Sequence, residues 1–263
     1  MSDRTLVTYE VRDHVAYLTL TDPPANTYTH EMMRDLDAGI LEARFDNDVH
    51  VIVITGDGEK FFCAGANIKM LQESDPTFKY YFCLHANETL NRLEHTPKLV
   101  IAALNGHTVG GGLEIAMAAD LRIARRGAGK VGLPEITLGV LPGTGGTQRL
   151  ARMLGKSKSI ELMVTGELMS FEEGEKLGLV NKIFEDEDFA GQVHEYARQF
   201  CLPNKAAKAA GRIKRSVQSG CDLPFESGLA IERELQQLLF TSQDAKEGLN
   251  AYVEKRKPQF SGN

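Results

Sequence analysis

The 263-residue sequence has no tryptophan and four cysteines. Cys63, Cys83, Cys201 and Cys221 are scattered without a CxxC pair, so neither a disulfide framework nor a thiolate metal site is indicated, and reduced thiols in a cytoplasmic setting are expected. No apolar run approaches the roughly 18 residues of a membrane span, and Met1-Ser2-Asp3-Arg4 lacks the charged and apolar blocks of a signal peptide. Positive charge is not in excess: 30 Lys and Arg stand against 36 Asp and Glu, for a net charge of -6 and a pI near 5.7. That balance argues against attraction to phosphate backbones or anionic lipid, so neither nucleic acid nor a membrane is an expected partner. The seven histidines show no HxxxH spacing, and no GxSxG elbow begins a Ser-His-Asp arrangement. Gly143-Thr144-Gly145 runs on to Gln148 where a GxGxxG needs glycine. Gly155-Lys156-Ser157 has Leu150 where a P-loop needs its first glycine. What is present, 42% hydrophobic and 25% charged residues, is the balance of a globular chain with a substantial core: one large domain with room for a small satellite.

Val15 to Leu20 alternates as a half-buried strand, Asp22-Pro23-Pro24 stops it, and Thr29 is placed to cap a helix through Met33, Leu36 and Ile40. Val51-Ile52-Val53-Ile54 is a continuous β-branched run, as in a strand covered on both faces, and Gly56-Asp57-Gly58 closes it. Leu99 to Leu104 repeats that signature, and Asp120 to Ala124 does so more weakly. Each strand leads into a small-residue loop and a helical stretch, so the first two thirds read as α/β with sites on the loops. Beyond Val180 to Phe184 the pattern is helical over Asp188 to Phe200, Lys205 to Val217, Phe225 to Leu239 and Ala245 to Lys255. Ser170-Phe171-Glu172-Glu173 and Thr241-Ser242-Gln243-Asp244 both fit a capping box, and Gly178 ends the helix that the first begins. There is no repeat of fixed period and no low-complexity linker.

The most unusual stretch is Asn105-Gly106-His107-Thr108-Val109-Gly110-Gly111-Gly112-Leu113-Glu114, with three glycines leading into a Glu and an Ala/Met-rich helix. Bare amides at a helix start can stabilise negative charge on a ligand oxygen, the physics of an oxyanion hole. Equally, the glycines can merely let a helix pack tightly on a strand. A second small-residue loop, Phe62-Cys63-Ala64-Gly65-Ala66-Asn67-Ile68, follows the strand at 51 to 54 and is placed to offer a second donor. A third, Leu133-Pro134-Glu135 with Leu141-Pro142-Gly143-Thr144-Gly145-Gly146-Thr147, supplies another carboxylate. Two carboxylates around one water can perform paired acid and base work, although either Glu alone is more often a cap or a solvated charge. Cys63 beside such a loop reads as a small packing residue rather than a nucleophile, since no partner base is identifiable. Lys255-Arg256-Lys257 reads as a solvated helix end or a contact for a ligand phosphate.

Phe62-Cys63-Ala64-Gly65-Ala66-Asn67-Ile68-Lys69, Ala103-Leu104-Asn105-Gly106 with Gly110-Gly111-Gly112-Leu113-Glu114, Gly132-Leu133-Pro134-Glu135, Pro142-Gly143-Thr144-Gly145-Gly146-Thr147-Gln148-Arg149-Leu150 and Ala251-Tyr252-Val253-Glu254-Lys255-Arg256-Lys257 occur in this order. By these motifs the sequence resembles the crotonase superfamily, and within it the enoyl-CoA hydratases, over nearly the whole chain. The resemblance implies an α/β spiral of ββα units over residues 1–198 and a helical C-terminal region over 199–263 that serves oligomerisation and covers the CoA pocket. It implies a homotrimer or a hexamer built as a dimer of trimers, an acyl-CoA thioester as substrate, and no metal or redox cofactor. Carried over by motif, the amides of Ala66 and Gly111 hold the thioester oxygen, Glu114 orients and activates water, Glu135 exchanges the C2 proton, and the Gly143 amide helps position the water. Ala64 and Ile68 contact adenine through the backbone. Lys60, Lys69, Tyr252 and Lys255 are candidates around the CoA phosphates and pantetheine, the last two from a neighbouring subunit.

Asn67 stands where Asp is common in the family, His107 where an aromatic is common, and Arg125 to Lys130 looks slightly long. The aromatic-rich segment Leu71 to His85, with Phe78, Tyr80, Tyr81 and Phe82, reads equally as acyl-pocket wall and as ordinary core. The function implied is reversible hydration of a 2-enoyl-CoA. The alternatives are an isomerase, hydrolase or decarboxylase on the same scaffold and, outside enzymes, a noncatalytic CoA- or RNA-binding protein, which the acidic charge and the intact carboxylate pair disfavour.

Overall fold

In the computed structural model, which describes residues 5–263, the β-branched runs become the middle of a six-stranded sheet. The leader-like features sought at Met1-Ser2-Asp3-Arg4 fall outside the described residues. The strands are β1 (Val7–Arg12), β2 (Val15–Leu20), β3 (Val51–Gly56), β4 (Phe61–Cys63), β5 (Leu99–Leu104), β6 (His107–Val109), β7 (Leu121–Arg125), β8 (Lys130–Gly132), β9 (Met169–Ser170) and β10 (Lys182–Phe184). The large sheet runs β1-β2-β3-β5-β7-β10 and the small one β4-β6-β8-β9. Odd strands β3, β5 and β7 thus lie in one sheet and the strands that follow them, β4, β6 and β8, in the other. The chain winds as the expected spiral, returning a loop to the same edge at each turn.

Side chains alternate along a strand, and here both faces are covered. Ile52 and Ile54 of β3 join Val100, Ala102 and Leu104 of β5 in the larger core, while Val51, Val53, Ile101 and Ala103 form the smaller core on the opposite face with Ile123, Phe189 and Val193. β1 was not signalled by the sequence: of its six residues Val7 alone is fully buried, as befits an edge strand paired antiparallel to β2.

The helices are α1 (His30–Phe45), α2 (Ile68–Glu73), α3 (Pro76–Glu94), α4 (Gly111–Met117), α5 (Gly146–Leu154), α6 (Lys156–Thr165), α7 (Phe171–Lys176), α8 (Phe189–Arg198), α9 (Ala207–Cys221), α10 (Phe225–Phe240) and α11 (Gln243–Val253). The Thr29 hydroxyl caps α1 by accepting from the Met32 amide at 3.3 Å, and Met32, Met33, Leu36 and Ile40 form its buried stripe. Burying each such side chain contributes about 1.5–3 kcal/mol before entropy is counted. Asn67 caps α2 through the Met70 amide, and the His107 ring accepts from the Lys130 amide at 3.1 Å, so two of the three departures from the family pattern have local partners.

The Ser170–Glu173 capping box forms as read. The one expected at Thr241–Asp244 does not: Ser242 caps α11 through the Ala245 amide, and Asp244 turns away. The Asp244 carboxylate is buried and accepts from the Ser261 and Gly262 amides, which offer it more donors than the helix start would. Lys214 of α9 forms a buried ion pair with Asp120 at 2.9 Å, fastening that helix beneath the sheet. α10 buries no side chain, and Phe225, Leu238 and Phe240 are exposed on it. Among the described residues no helix is long and apolar enough to cross a membrane.

Candidate active site

The second and third glycines of the run, which open α4, have no room for a side chain. A Cβ on Gly111 would overlap the Tyr28 ring, with its hydroxyl 2.5 Å away, and a Cβ on Gly112 would overlap the Cys63 carbonyl. Close packing therefore accounts for these two glycines, while Gly110 has φ 57, a conformation that favours glycine. The loop of Gly65 lies against the same spot, where a Cβ on Gly65 would come 3.0 Å from the Gly111 nitrogen. Neither the Ala66 nor the Gly111 N–H has an acceptor among the described residues. Two bare amides on adjacent loops thus share one wall of a cavity of about 280 Å³.

Glu114 enters this cavity from the first turn of α4 and is 2% exposed. Its Oε1 accepts from the Thr144 and Gly146 amides, both at 2.7 Å, and its Oε2 accepts from the Thr144 hydroxyl. With its proton committed there, Thr144 is left to accept from the Tyr28 hydroxyl at 3.3 Å. Tyr28 is itself buried, stacked on Phe82 with centroids 5.6 Å apart. Arg149 braces this loop from behind by donating to the Thr144 carbonyl at 3.3 Å while pairing with Glu94 at 2.8 Å.

Glu135 opens a 3-10 turn, Glu135–Leu138, at the other side of the cavity. Its Oε2 is buried without a hydrogen-bond partner. Burial, reinforced by the negative charge of Glu114 and opposed by the turn's own amide and by Lys79, pushes the Glu135 carboxyl up to about 7. The two acids therefore stand in unlike environments, one ringed by donors and one desolvated and orphaned.

Of the residues singled out in the sequence, Ala64, Ala66, Ile68, Gly111, Glu114, Glu135 and Gly143 meet in this cavity. Lys60, Lys69, Tyr252 and Lys255 do not line it. Lys69 faces a separate cleft of about 520 Å³ beside Phe78, and Tyr252 is 85% exposed. Arg256 is tied to Glu247 at 2.6 Å. In the aromatic segment Phe82 belongs to the core and Tyr80 and Tyr81 are exposed, while Leu71 and Lys79 line the cavity. Cys63 is buried and its thiol is pushed up to about 12, in keeping with a packing role. Tyr28, the Thr144 hydroxyl and Lys79 carried no signal of their own in the sequence.

Two carboxylates in unlike settings, one buried and one half-buried, lining one cavity with two unpaired amides describe a class of enzyme that polarises a carbonyl and moves protons on the carbons beside it. Comparison with known proteins agrees with that class: the family model described as enoyl-CoA hydratase/isomerase matches residues 10–263. A short-chain-enoyl-CoA hydratase of Clostridium acetobutylicum is 36% identical over 252 residues, 95% of each chain. An (E)-benzylidenesuccinyl-CoA hydratase of Thauera aromatica is 38% identical over 97% of this chain and 99% of its own. The crystal structure of an enoyl-CoA hydratase from Geobacillus kaustophilus HTA426 superposes with a TM-score of 0.96 at 44% identity, covering 100% of this chain and 98% of that one. The chain belongs to the enoyl-CoA hydratase/isomerase family.

Proposed function

We propose that the protein is an enoyl-CoA hydratase, adding water reversibly across the C2–C3 double bond of a 2-enoyl-CoA. The observation that carries this reading is the convergence of Glu114 and Glu135 on one cavity in environments that separate their roles. The thioester oxygen accepts from the Ala66 and Gly111 amides, which stabilise the enolate-like charge that develops there. Water is held by Glu114 with help from the Gly143 amide. As its oxygen bonds to C3 its proton passes to Glu114, while the proton on Glu135 passes to C2. The pair has kept one proton throughout, and its transfer from Glu114 back to Glu135 restores the starting state. Metal or redox chemistry plays no part in this scheme.

In this reading the backbone of Ala64 and Ile68, which line the cavity, meets adenine, and Lys60, Lys69, Tyr252 and Lys255, which do not line it, meet phosphates or pantetheine from outside, the last two across a subunit boundary. The exposed apolar side chains of α10 support self-association as a trimer or hexamer, which light scattering measures directly. Four free cysteines fit a cytoplasmic location, which fractionation tests.

Loss of the conjugated enoyl-thioester absorbance with crotonyl-CoA tests the reaction. Glu114→Gln and Glu135→Gln are each expected to lower kcat by about 10²–10⁴-fold. Retention of activity in Glu114→Gln would favour isomerisation, for which one mobile base suffices.

A further inference from the structure

Asn87, Cys83 and Lys79 of α3 follow one another at four-residue spacing and so share one face of the helix. The Asn87 side-chain amide reaches towards the Gly143 carbonyl at 3.5 Å, and the Cys83 Sγ sits 3.1 Å from where a Gly143 Cβ would stand. Lys79 comes one turn earlier, about 6 Å along the helix axis from Cys83. It is half-buried and forms part of the cavity wall with Leu71, Leu138 and Leu141. Its Nζ lies 5.3 Å from the Phe82 ring centroid, a contact that holds the stem while leaving the N–H donors free. Among the described residues no carboxylate or carbonyl comes within bonding distance of that Nζ. Lys79 and Glu135 nevertheless act on each other electrostatically across the same cavity.

A neutral acyl chain filling this cavity would strip water from the ammonium and give nothing in return, whereas an anionic chain replaces that water with a charge-assisted hydrogen bond. We propose that Lys79 selects acyl groups that carry a carboxylate beyond C3, so that the preferred substrate is the CoA thioester of an unsaturated dicarboxylic acid. The free carboxylate pairs with Nζ while the thioester oxygen lies at the Ala66 and Gly111 amides. This inference rests on the hydratase reading for its reaction but not for its binding contact.

The test compares 4-carboxybut-2-enoyl-CoA with its uncharged isostere, 5-methylhex-2-enoyl-CoA. The unmodified protein is expected to favour the first in kcat/KM by at least about tenfold. Lys79→Met brings the ratio to about one or below, and Lys79→Arg keeps it. Taking the ratio cancels any effect that Lys79 exerts on both substrates through Glu135. A ratio near one in the unmodified protein, or one unchanged in Lys79→Met, overturns the inference. Calorimetric binding of the saturated pair, 4-carboxybutanoyl-CoA and 5-methylhexanoyl-CoA, reads the same contact without any reaction. If no enoyl thioester turns over, the hydratase reading fails alone: a binding preference that vanishes in Lys79→Met still supports the role of Lys79, and equal affinities overturn it.

Discussion

Replacing Thr144 by valine keeps the volume of a fully buried side chain and deletes one of the three donors to the Glu114 carboxylate. A hydrogen bond to a charged acceptor contributes about 1.5–3 kcal/mol, and the buried Tyr28 hydroxyl loses its acceptor in the same change. Glu114 keeps two amide donors, which places the expected cost at about 2–3 kcal/mol. For a chain of this size that is a fall in Tm of about 5–10 °C, read by thermal or urea unfolding at one fixed protein concentration. Tyr28→Phe alone is expected to cost about 0.5–1.5 kcal/mol, and almost nothing once Thr144 is valine, because its partner is then already gone. Thr144→Ser, which retains the hydroxyl, separates the hydrogen bond from packing. If Thr144→Val were within about 0.5 kcal/mol of the unmodified protein, or if the two changes were simply additive, the chain from Tyr28 through Thr144 to Glu114 would not be the support described.

In the proposed scheme the Glu135 carboxyl, raised to about 7, holds the proton that goes to C2, so kcat/KM for hydration is expected to fall as pH rises through about 7. Because the pair retains one proton through the whole reaction, dehydration of the 3-hydroxyacyl-CoA should fall over the same interval. A hydration profile flat from pH 6 to about 9 would contradict the assignment. Gly111→Ala drives a methyl group into the Tyr28 ring and is expected to destabilise the protein by about 1–3 kcal/mol, with part recovered by Tyr28→Leu in the same chain. An alanine variant as stable as the parent in urea would show that the glycine is not needed for packing.

Apart from the edge strand β1, the long strands and most helices were legible because their signal repeats: the run at Val51 to Ile54 is long enough to show burial on both faces, and Thr29 announces α1 before its apolar stripe begins. The strands of the small sheet have two or three residues, too few to display a period. α3 was hidden by its aromatic residues, although Asp75 before Pro76 is a helix-start signal that the structure uses. Glu114 and Glu135 could be proposed because motifs flank them. The Thr144 hydroxyl was masked by the glycines around it, which drew attention to amides. Tyr28 and Lys79 reach the cavity from α1's approach and from α3, and no local pattern links either to a residue some 50 to 116 positions away. Thr241 lost its cap to Ser242 because the partner of Asp244 lies in the last residues of the chain, beyond the reach of any short motif.

The amides of Ala66 and Gly111 belong to the main chain, which has a consequence for how this protein can be altered. An N–H survives every substitution except proline, so exchanging side chains at these positions moves the donor without deleting it. An alanine scan would pass over Ala66 in silence and register Gly111 as a packing defect. The vulnerable parts of such a device are its neighbours: the ring of Tyr28 and the turn at Gly65 fix where the two N–H vectors point. Backbone amide-to-ester replacement is the perturbation that reaches the donors themselves, removing a hydrogen while leaving the shape of the loop in place.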